Sequence, residues 1–145
     1  ITDTWTVKDM IPFDKLIQNN DLDTVMVSHA FDKKLDPKYP ASLSKNIIKG
    51  VLKEDLGFNG LVICDDPSMR AISDHYSMEL TFELMLKGGV DLFCLGNNLI
   101  YDPDYIPKSI STICELVQSG KIKEKRITES INKIKLLKSS YGICK

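Results

Sequence analysis

Three short, continuous apolar runs constrain what this chain can fold into. They are TVMVSHA near residues 24 to 30, GLVICD near 60 to 65, and VDLFCLG near 90 to 96. Each run is rich in Val, Ile, Leu or Phe, without the alternation of polar and apolar residues that a half-exposed strand shows. Such runs are typical of strands that are covered on both faces in a parallel sheet.

Amphipathic helical patterns lie between and around these runs. SLSKNIIKGVLKEDLG offers Ser42 as a start and Gly57 as a breaker, and DHYSMELTFELMLKGG offers Asp74 as a cap before Gly88 and Gly89. One further helix is predicted before the first strand, and two are predicted after the last. The predicted order is therefore αβαβαβαα, and strand starts about 30 to 36 residues apart fit βαβ units.

Three parallel strands would leave two unpaired sheet edges, and unpaired edges invite pairing with more polypeptide. We therefore expect residues 1 to 145 to be one α/β domain that forms the C-terminal portion of a TIM-type (β/α)8 barrel. It would contribute about three βα units plus flanking helices. Either an upstream half or self-association would complete the sheet. Because the first residue is Ile1 rather than methionine, we expect the chain to begin inside a longer gene product.

Charge and cysteine usage exclude several classes of partner. The 19 basic and 20 acidic residues give a net charge of -1, which argues against nucleic acid or an anionic membrane as a partner. No apolar run approaches the roughly 18 residues that cross a bilayer. The four cysteines are far apart and form no zinc motif, so we expect structural thiols in a reducing compartment and no metal. We expect a cytoplasmic location, with an exported form as the alternative.

Two adjacent carboxylates follow the middle apolar run. Asp65 and Asp66 stand between LVIC and Pro67. Adjacent like charges at the end of a buried strand cost desolvation and mutual repulsion, so they are seldom retained for stability alone. In parallel α/β folds, the chemistry lies at the carboxyl ends of the strands. The pattern therefore indicates a functional site at this pair.

A segment from residue 25 to residue 69 carries a family resemblance. Its sequence, VMVSHAFDKKLDPKYPASLSKNIIKGVLKEDLGFNGLVICDDPSM, resembles the β-N-acetylglucosaminidases of glycoside hydrolase family 3. In that branch, a strand ending in Ser-His or Ala-His is followed by LDP…PASLS and then by LGFDGLVISDDLSM. The similarity continues through AISDHYSMEL, GGVDLFCLGNN and RITESINKIKLLKSSYG, so it covers nearly the whole chain. The resemblance implies a (β/α)8 barrel.

The resemblance also implies roles for individual residues. Asp65 matches the catalytic nucleophile, which forms a covalent glycosyl-enzyme in a retaining double displacement. His29 and Met69 match positions near the sugar, and we expect them to bind substrate. Other interpretations stay open: His29 as a core histidine bonded to the backbone or as a support for Asp65, and Met69 as ordinary apolar packing. Asp66 is expected to be a turn or helix-start residue.

Two residues beside the nucleophile depart from the family pattern. Cys64 stands in place of the usual serine, and Pro67 in place of the usual leucine. A thiol is a weaker hydrogen-bond donor than a hydroxyl, and proline has no N–H. To keep Asp65 ionised at the end of an apolar strand, we expect backbone N–H groups of residues 66 to 69, and the Ser68 hydroxyl, to donate to it.

The resemblance implies an enzyme that releases terminal β-linked N-acetylglucosamine from muropeptides or chitin-like oligosaccharides, without metal or cofactor. The family's KHFPGHG sugar-binding segment and its histidine–aspartate acid/base are absent from this sequence. We therefore expect these residues alone to be inactive. Two alternatives are a non-catalytic half-barrel that serves as an interaction module, and a phosphate-receiver domain. Receivers carry an acidic pair too, but on their first strand.

Overall fold

Helices and strands alternate along the chain in the computed structural model, which describes residues 4–97 and 101–143. The strands are β1 (Thr24–Val27), β2 (Leu61–Cys64) and β3 (Leu92–Phe93). The helices are α1 (Ile11–Gln18), α2 (Asn46–Asp55), α3 (Arg70–Ser73), α4 (Met78–Gly88), α5 (Tyr105–Gln118) and α6 (Glu124–Ser140). The predicted order is confirmed, with the short α3 added. None of these helices is long and apolar enough to cross a bilayer.

The three strands form one parallel sheet with β2 in the middle. The pairing of β1 with β2 runs from Thr24 opposite Leu61 to Val27 opposite Cys64, and β3 pairs with the other side of β2. The parallel α/β arrangement expected from the apolar runs is therefore confirmed. It brings the carboxyl ends of all three strands to the same edge of the sheet.

The first strand is shorter than predicted. It ends at Val27 because the next carbonyl groups bond to a later loop instead of continuing the ladder. The Ser42 N–H donates to the Ser28 carbonyl at 3.1 Å, and the Ala41 N–H donates to the Ala30 carbonyl at 2.8 Å. Ser42 thus lies in a 3-10 turn before α2 rather than starting that helix, which corrects the prediction.

Helix α4 begins and ends at well-defined caps. The Leu80 N–H donates to the Ser77 hydroxyl at 3.3 Å, so Ser77 is the N-cap and the predicted Asp74 cap is wrong. Asp74 instead follows the last residue of α3. At the other end, Gly89 adopts a left-handed φ of 109° and its N–H donates to the Met85 carbonyl, as the predicted glycine stop requires.

The core lies on one face of the sheet, beneath α2 and α4. Its buried members include Val25, Val27, Ile48, Leu52, Val62, Cys64, Ile72 and Met85. A second cluster joins α4 to α5 and the segment after it, through Phe82, Leu86, Leu116 and Ile122. On the opposite face of β1, Met26 is 57% exposed. Within the described residues, this face is therefore uncovered at β1, in contrast to the prediction, although Leu61 on the same face of β2 is buried.

A glycine is required where the chain enters β2. A Cβ atom at Gly60 would collide with the Asp23 carbonyl oxygen and would lie 2.6 Å from the ring of Phe58. The same carbonyl accepts the N–H of Leu61 at 3.0 Å. This close approach sets the register of β1 and β2 at their amino ends, so that their carboxyl ends align at the opposite edge.

Candidate functional site

Asp65 follows β2 directly, at the carboxyl edge of the sheet. Its N–H donates to the Val27 carbonyl at 3.1 Å, which extends the β1–β2 ladder and fixes the Asp65 backbone. The side chain is partly exposed, and its Oδ1 accepts the N–H of Asp66 at 2.9 Å. Within the described residues, Oδ2 accepts no hydrogen bond. Asp65 therefore presents one carboxylate oxygen that is free for a ligand.

Asp66 is buried, with 6% of its surface exposed, and it organises the turn after β2. Its Oδ1 accepts the Ser68 N–H at 2.9 Å, and its Oδ2 accepts the Gly96 N–H at 3.0 Å. The first bond closes an Asx turn, and the second connects this turn to the loop after β3. Asp66 is thus the predicted turn residue, but it caps no helix, since the N-cap position of α3 is Met69.

The N–H groups of the turn were expected to converge on Asp65, and the structure corrects this. Only the Asp66 N–H donates to Asp65. The Ser68 N–H donates to the Asp66 carboxylate, and the Met69 N–H donates to the Asp66 carbonyl at 3.0 Å. Most of the turn's donors therefore hold Asp66 in place, and Asp66 in turn holds Asp65.

His29 lies two residues after β1 and is half-buried. Its Nε2 is 2.8 Å from the Asp66 carbonyl oxygen, and its Nδ1 is 2.7 Å from the Ser42 Oγ. A carbonyl oxygen can only accept, so this pairing assigns the ring proton to Nε2 and makes Nδ1 the acceptor for the Ser42 hydroxyl. Both ring nitrogens are engaged within the chain, which favours the interpretation of His29 as a support for the acidic turn.

Met69 is half-buried at the start of α3. Its carbonyl accepts the N–H groups of Ile72 at 2.8 Å and Ser73 at 2.9 Å. These backbone bonds hold Met69 in the loop that carries Asp65. A contact of its side chain with substrate stays a prediction.

A cleft of about 370 Å³ opens beside the acidic turn. Pro67 and Ser68 line it from the turn, and Tyr76 and Tyr105 line it from the segments around α4 and α5. Burial raises the pKa of Tyr105 to about 12, and the nearby charge of Asp66 adds to this shift. The Tyr105 hydroxyl therefore stays protonated at neutral pH and can donate a hydrogen bond.

A comparison with known protein families identifies the family of this chain. A sequence profile described as the glycosyl hydrolase family 3 N terminal domain matches residues 3–137. The chain belongs to glycoside hydrolase family 3. This confirms the resemblance and replaces the phosphate-receiver alternative.

Relatives of this family 3 domain have been described in several bacteria. A β-hexosaminidase of Pasteurella multocida (strain Pm70) is 38% identical over 90 residues, which cover 62% of this chain and 25% of the relative. The β-N-acetylglucosaminidase structure from Paenibacillus sp. str. FPU-7 superposes with a TM-score of 0.84 at 29% identity, over 93% of this chain and 25% of that one. For the Thermotoga maritima β-N-acetylglucosaminidase, the TM-score is 0.78 at 33% identity, over 88% and 27%. The chain thus spans about a quarter of the length of these relatives.

The two departures from the family 3 pattern do not disturb the bonds around Asp65. The Cys64 side chain is fully buried in the core, where burial raises the pKa of its thiol to about 12 and keeps it neutral. It therefore packs beneath the turn instead of donating to Asp65. Pro67 lacks an N–H, but the turn draws its donors from Asp66, Ser68 and Met69.

Several residues that shape this family 3 site gave no signal in the sequence. In the sequence, Ser42 has the pattern of a helix start and Gly96 only ends an apolar run, and no motif includes Tyr105. Their roles depend on contacts between loops that are far apart along the chain. Among residues 4–97 and 101–143, no three His, Cys, Asp or Glu side chains cluster closely enough to hold a metal ion.

Proposed function

We propose that this chain carries the nucleophile of a retaining glycosidase that releases terminal β-linked N-acetylglucosamine. The observation that carries the proposal is the state of Asp65: its backbone is fixed by the sheet, Oδ1 is held by the Asp66 N–H, and Oδ2 is free within the described residues. The names of the relatives, β-hexosaminidase and β-N-acetylglucosaminidase, support this sugar as the substrate. Muropeptides and chitin-like oligosaccharides carry it as a terminal unit.

The proposed reaction has two displacements. In the first, an Asp65 oxygen bonds to the anomeric carbon while the bond from that carbon to the leaving oxygen breaks, and a general acid protonates the leaving oxygen. In the second, water attacks the anomeric carbon, loses a proton to the same group, and releases the Asp65 carboxylate. Two inversions give retention of configuration.

We further propose that the general acid comes from polypeptide outside this chain. Both ring nitrogens of His29 are already hydrogen-bonded, so His29 has no proton available for the leaving group. His75 is exposed after α3, where its ring lies edge-on to Tyr76 at a centroid distance of 6.4 Å. Neither histidine offers a free donor that is held beside Asp65.

We propose that the three strands are part of a (β/α)8 barrel that the rest of a longer enzyme completes. Within the described residues, strand β1 pairs with β2 alone, and beside it lies an apolar groove of about 300 Å³ lined by Trp5, Phe13 and Met26. Asp32 also lines this groove, and its buried Oδ2 has no partner among the described residues. Further barrel polypeptide over this edge would bury the apolar groups and supply a donor to Asp32.

The 145-residue chain alone is expected to release no measurable p-nitrophenol from p-nitrophenyl N-acetyl-β-glucosaminide. The physical reason is that it lacks the group that protonates the leaving oxygen, which contributes about 10²- to 10⁴-fold to the rate, and most of the sugar-binding surface. The measurement is an absorbance assay of the purified chain beside the full-length enzyme, with circular dichroism as a check that the chain is folded. Turnover by the folded chain at a rate near that of the full-length enzyme would contradict the proposal.

Covalent trapping tests the role of Asp65 directly. A 5-fluoro-N-acetylglucosaminyl fluoride carries a good leaving group, but its ring fluorine slows breakdown of the glycosyl-enzyme. The Asp65 carboxylate of the full-length enzyme is therefore expected to bond to the anomeric carbon as the C–F bond there breaks and fluoride leaves the reagent, so that the enzyme gains the mass of one fluorosugar. Peptide mapping should locate the label on Asp65. A label on another carboxylate would refute the assignment, and an inactive, unlabelled full-length protein would favour the non-catalytic interaction module.

A further inference from the structure

We propose that Ser42 and His29 form a hydrogen-bonded relay that positions the nucleophile Asp65 by holding Asp66. His29 and Ser42 are positioning residues in this proposal, since neither contacts the reacting atoms. The proposal rests on the proposed role of Asp65 as nucleophile. It goes beyond that role because it assigns a positioning function to His29 and Ser42, which follow β1 along the chain. We refer to the three residues Ser42, His29 and Asp66 as the relay.

The relay begins at a residue whose own position is fixed. Ser42 is fully buried, and its N–H donates to the Ser28 carbonyl at 3.1 Å. Its hydroxyl lies 2.7 Å from His29 Nδ1. Because the Asp66 carbonyl can only accept, it places the ring proton on Nε2, and Nδ1 then accepts the Ser42 hydroxyl. Ser42 therefore holds the orientation of the imidazole.

The relay ends at a peptide group that has few other partners. The peptide bond between Asp66 and Pro67 has no N–H, because proline lacks one. The Asp66 carbonyl is therefore the only hydrogen-bonding group of that peptide bond. That carbonyl accepts His29 Nε2–H at 2.8 Å and the Met69 N–H at 3.0 Å. Without His29, the carbonyl of the buried Asp66 would keep only the hydrogen bond from the Met69 N–H, which comes from the same turn.

The position of Asp66 is passed to the nucleophile through one bond. The Asp66 N–H donates to Asp65 Oδ1 at 2.9 Å, and this is the one hydrogen bond to the Asp65 carboxylate within the described residues. A rotation of Asp66 therefore changes the direction of the nucleophilic oxygen. A misplacement of about 1 Å can cost on the order of 100-fold in rate, because the reacting atoms must start close together and aligned.

The relay makes a specific prediction about kinetic constants in the full-length enzyme. His29→Phe, which removes both bonds, is expected to lower kcat by about 100-fold while KM changes by less than about twofold. Ser42→Ala is expected to lower kcat by about 10-fold, because the ring keeps its bond to the Asp66 carbonyl but loses the second bond that orients it. His29→Gln can donate to the Asp66 carbonyl and accept from Ser42, so it is expected to recover most of the kcat lost in His29→Phe.

Two controls separate positioning from general damage. Ser28→Ala changes an exposed neighbour whose hydroxyl oxygen accepts the Ala30 N–H at 3.4 Å and has no other hydrogen-bond partner within the described residues, so kcat should stay at the wild-type value. A substrate with a dinitrophenolate leaving group needs no protonation of that group. Misplacement of Asp65 still slows this substrate, so His29→Phe should remain slow with it, whereas loss of a general acid would be rescued.

The outcomes distinguish the relay from the role of Asp65. If Asp65→Ala keeps full activity, the proposed function fails and the relay fails with it. If Asp65→Ala is inactive but His29→Phe keeps the wild-type kcat, only the relay is overturned. A rise in KM at constant kcat in His29→Phe would overturn it by indicating a substrate contact. Equal loss of kcat and thermal stability in His29→Phe and His29→Gln would overturn it by indicating a purely structural role.

Discussion

Replacement of Asp65 by alanine in the full-length enzyme is expected to lower kcat for p-nitrophenyl N-acetyl-β-glucosaminide by at least about 10³-fold. The carboxylate that attacks the anomeric carbon is lost, and Asp66 cannot replace it, because Asp66 is buried and both of its carboxylate oxygens accept backbone N–H groups. Steady-state kinetics measures the loss. Circular dichroism should show an unchanged fold, since the Asp65 side chain makes only one hydrogen bond within the described residues.

Added azide gives this variant a signature that a structural defect would not produce. In Asp65→Ala, azide can enter the space left by the carboxylate and attack the anomeric carbon, with p-nitrophenolate as the leaving group. One inversion of a β-glycoside gives the α-glycosyl azide, which NMR identifies. Asp74→Ala, at an exposed aspartate after α3, is the matched control and should keep full activity. An active Asp65→Ala enzyme, or one that azide fails to rescue, would contradict the nucleophile assignment.

The sequence was sufficient to predict the features of the sheet that depend on local patterns. Continuous apolar runs gave the three parallel strands, and the position of Asp65 directly after LVIC placed it at the carboxyl edge. Strand ends were less predictable. Residues 28 to 30 follow the apolar run without an intervening Gly or Pro, but the Ser28 and Ala30 carbonyl groups bond to a loop more than ten residues later, and no local pattern predicts those bonds.

The surroundings of Asp65 depend on contacts that a linear pattern does not contain. Asp66 reaches Gly96 across 30 residues, and His29 reaches Ser42 and Asp66 across 13 and 37 residues. Each of these contacts joins two loops, where there is no hydrophobic periodicity to follow. The sequence could therefore indicate Asp65, but it could not show that the neighbouring carboxylate and the histidine hold this residue in place.

The amino edge of the sheet contains a buried ion pair that is expected to govern stability. The Asp91 side chain is 1% exposed, and its Oδ1 accepts the Ser130 hydroxyl at 2.5 Å and an Arg126 N–H at 3.1 Å. Its Oδ2 accepts the Val62 N–H at 3.2 Å. Arg126 also donates to the Val90 carbonyl at 2.6 Å. These bonds fasten α6 to β2 and to the start of β3.

Asp91→Ala is expected to lower the free energy of unfolding by about 3–5 kcal/mol, because it leaves Arg126 and the Val62 N–H without their acceptor in a buried site. Urea unfolding of the chain, followed by the helix signal in circular dichroism, measures the change. The control is Glu79→Ala, which removes an exposed ion pair with Lys121 and should leave the unfolding midpoint close to wild type. Similar unfolding midpoints for Asp91→Ala and Glu79→Ala would show that the buried network contributes little to the free energy of unfolding.

The same network predicts how stability depends on pH. Burial raises the pKa of Asp91. Hydrogen bonds from Ser130 and the Val62 N–H, together with the charges of Lys53 and Arg126, lower this pKa by more than burial raises it, so the net effect in the folded chain is a pKa below 3.8. A folded-state pKa below the unfolded value means that Asp91 contributes its full stabilisation above the unfolded pKa and loses it as the pH falls through the folded pKa. Urea midpoints of the wild type should therefore fall below about pH 4 relative to those of Asp91→Asn, which has no carboxylate to titrate. If the urea midpoints of the wild type and of Asp91→Asn changed in parallel between pH 7 and pH 3, the lowered pKa of Asp91 would be contradicted.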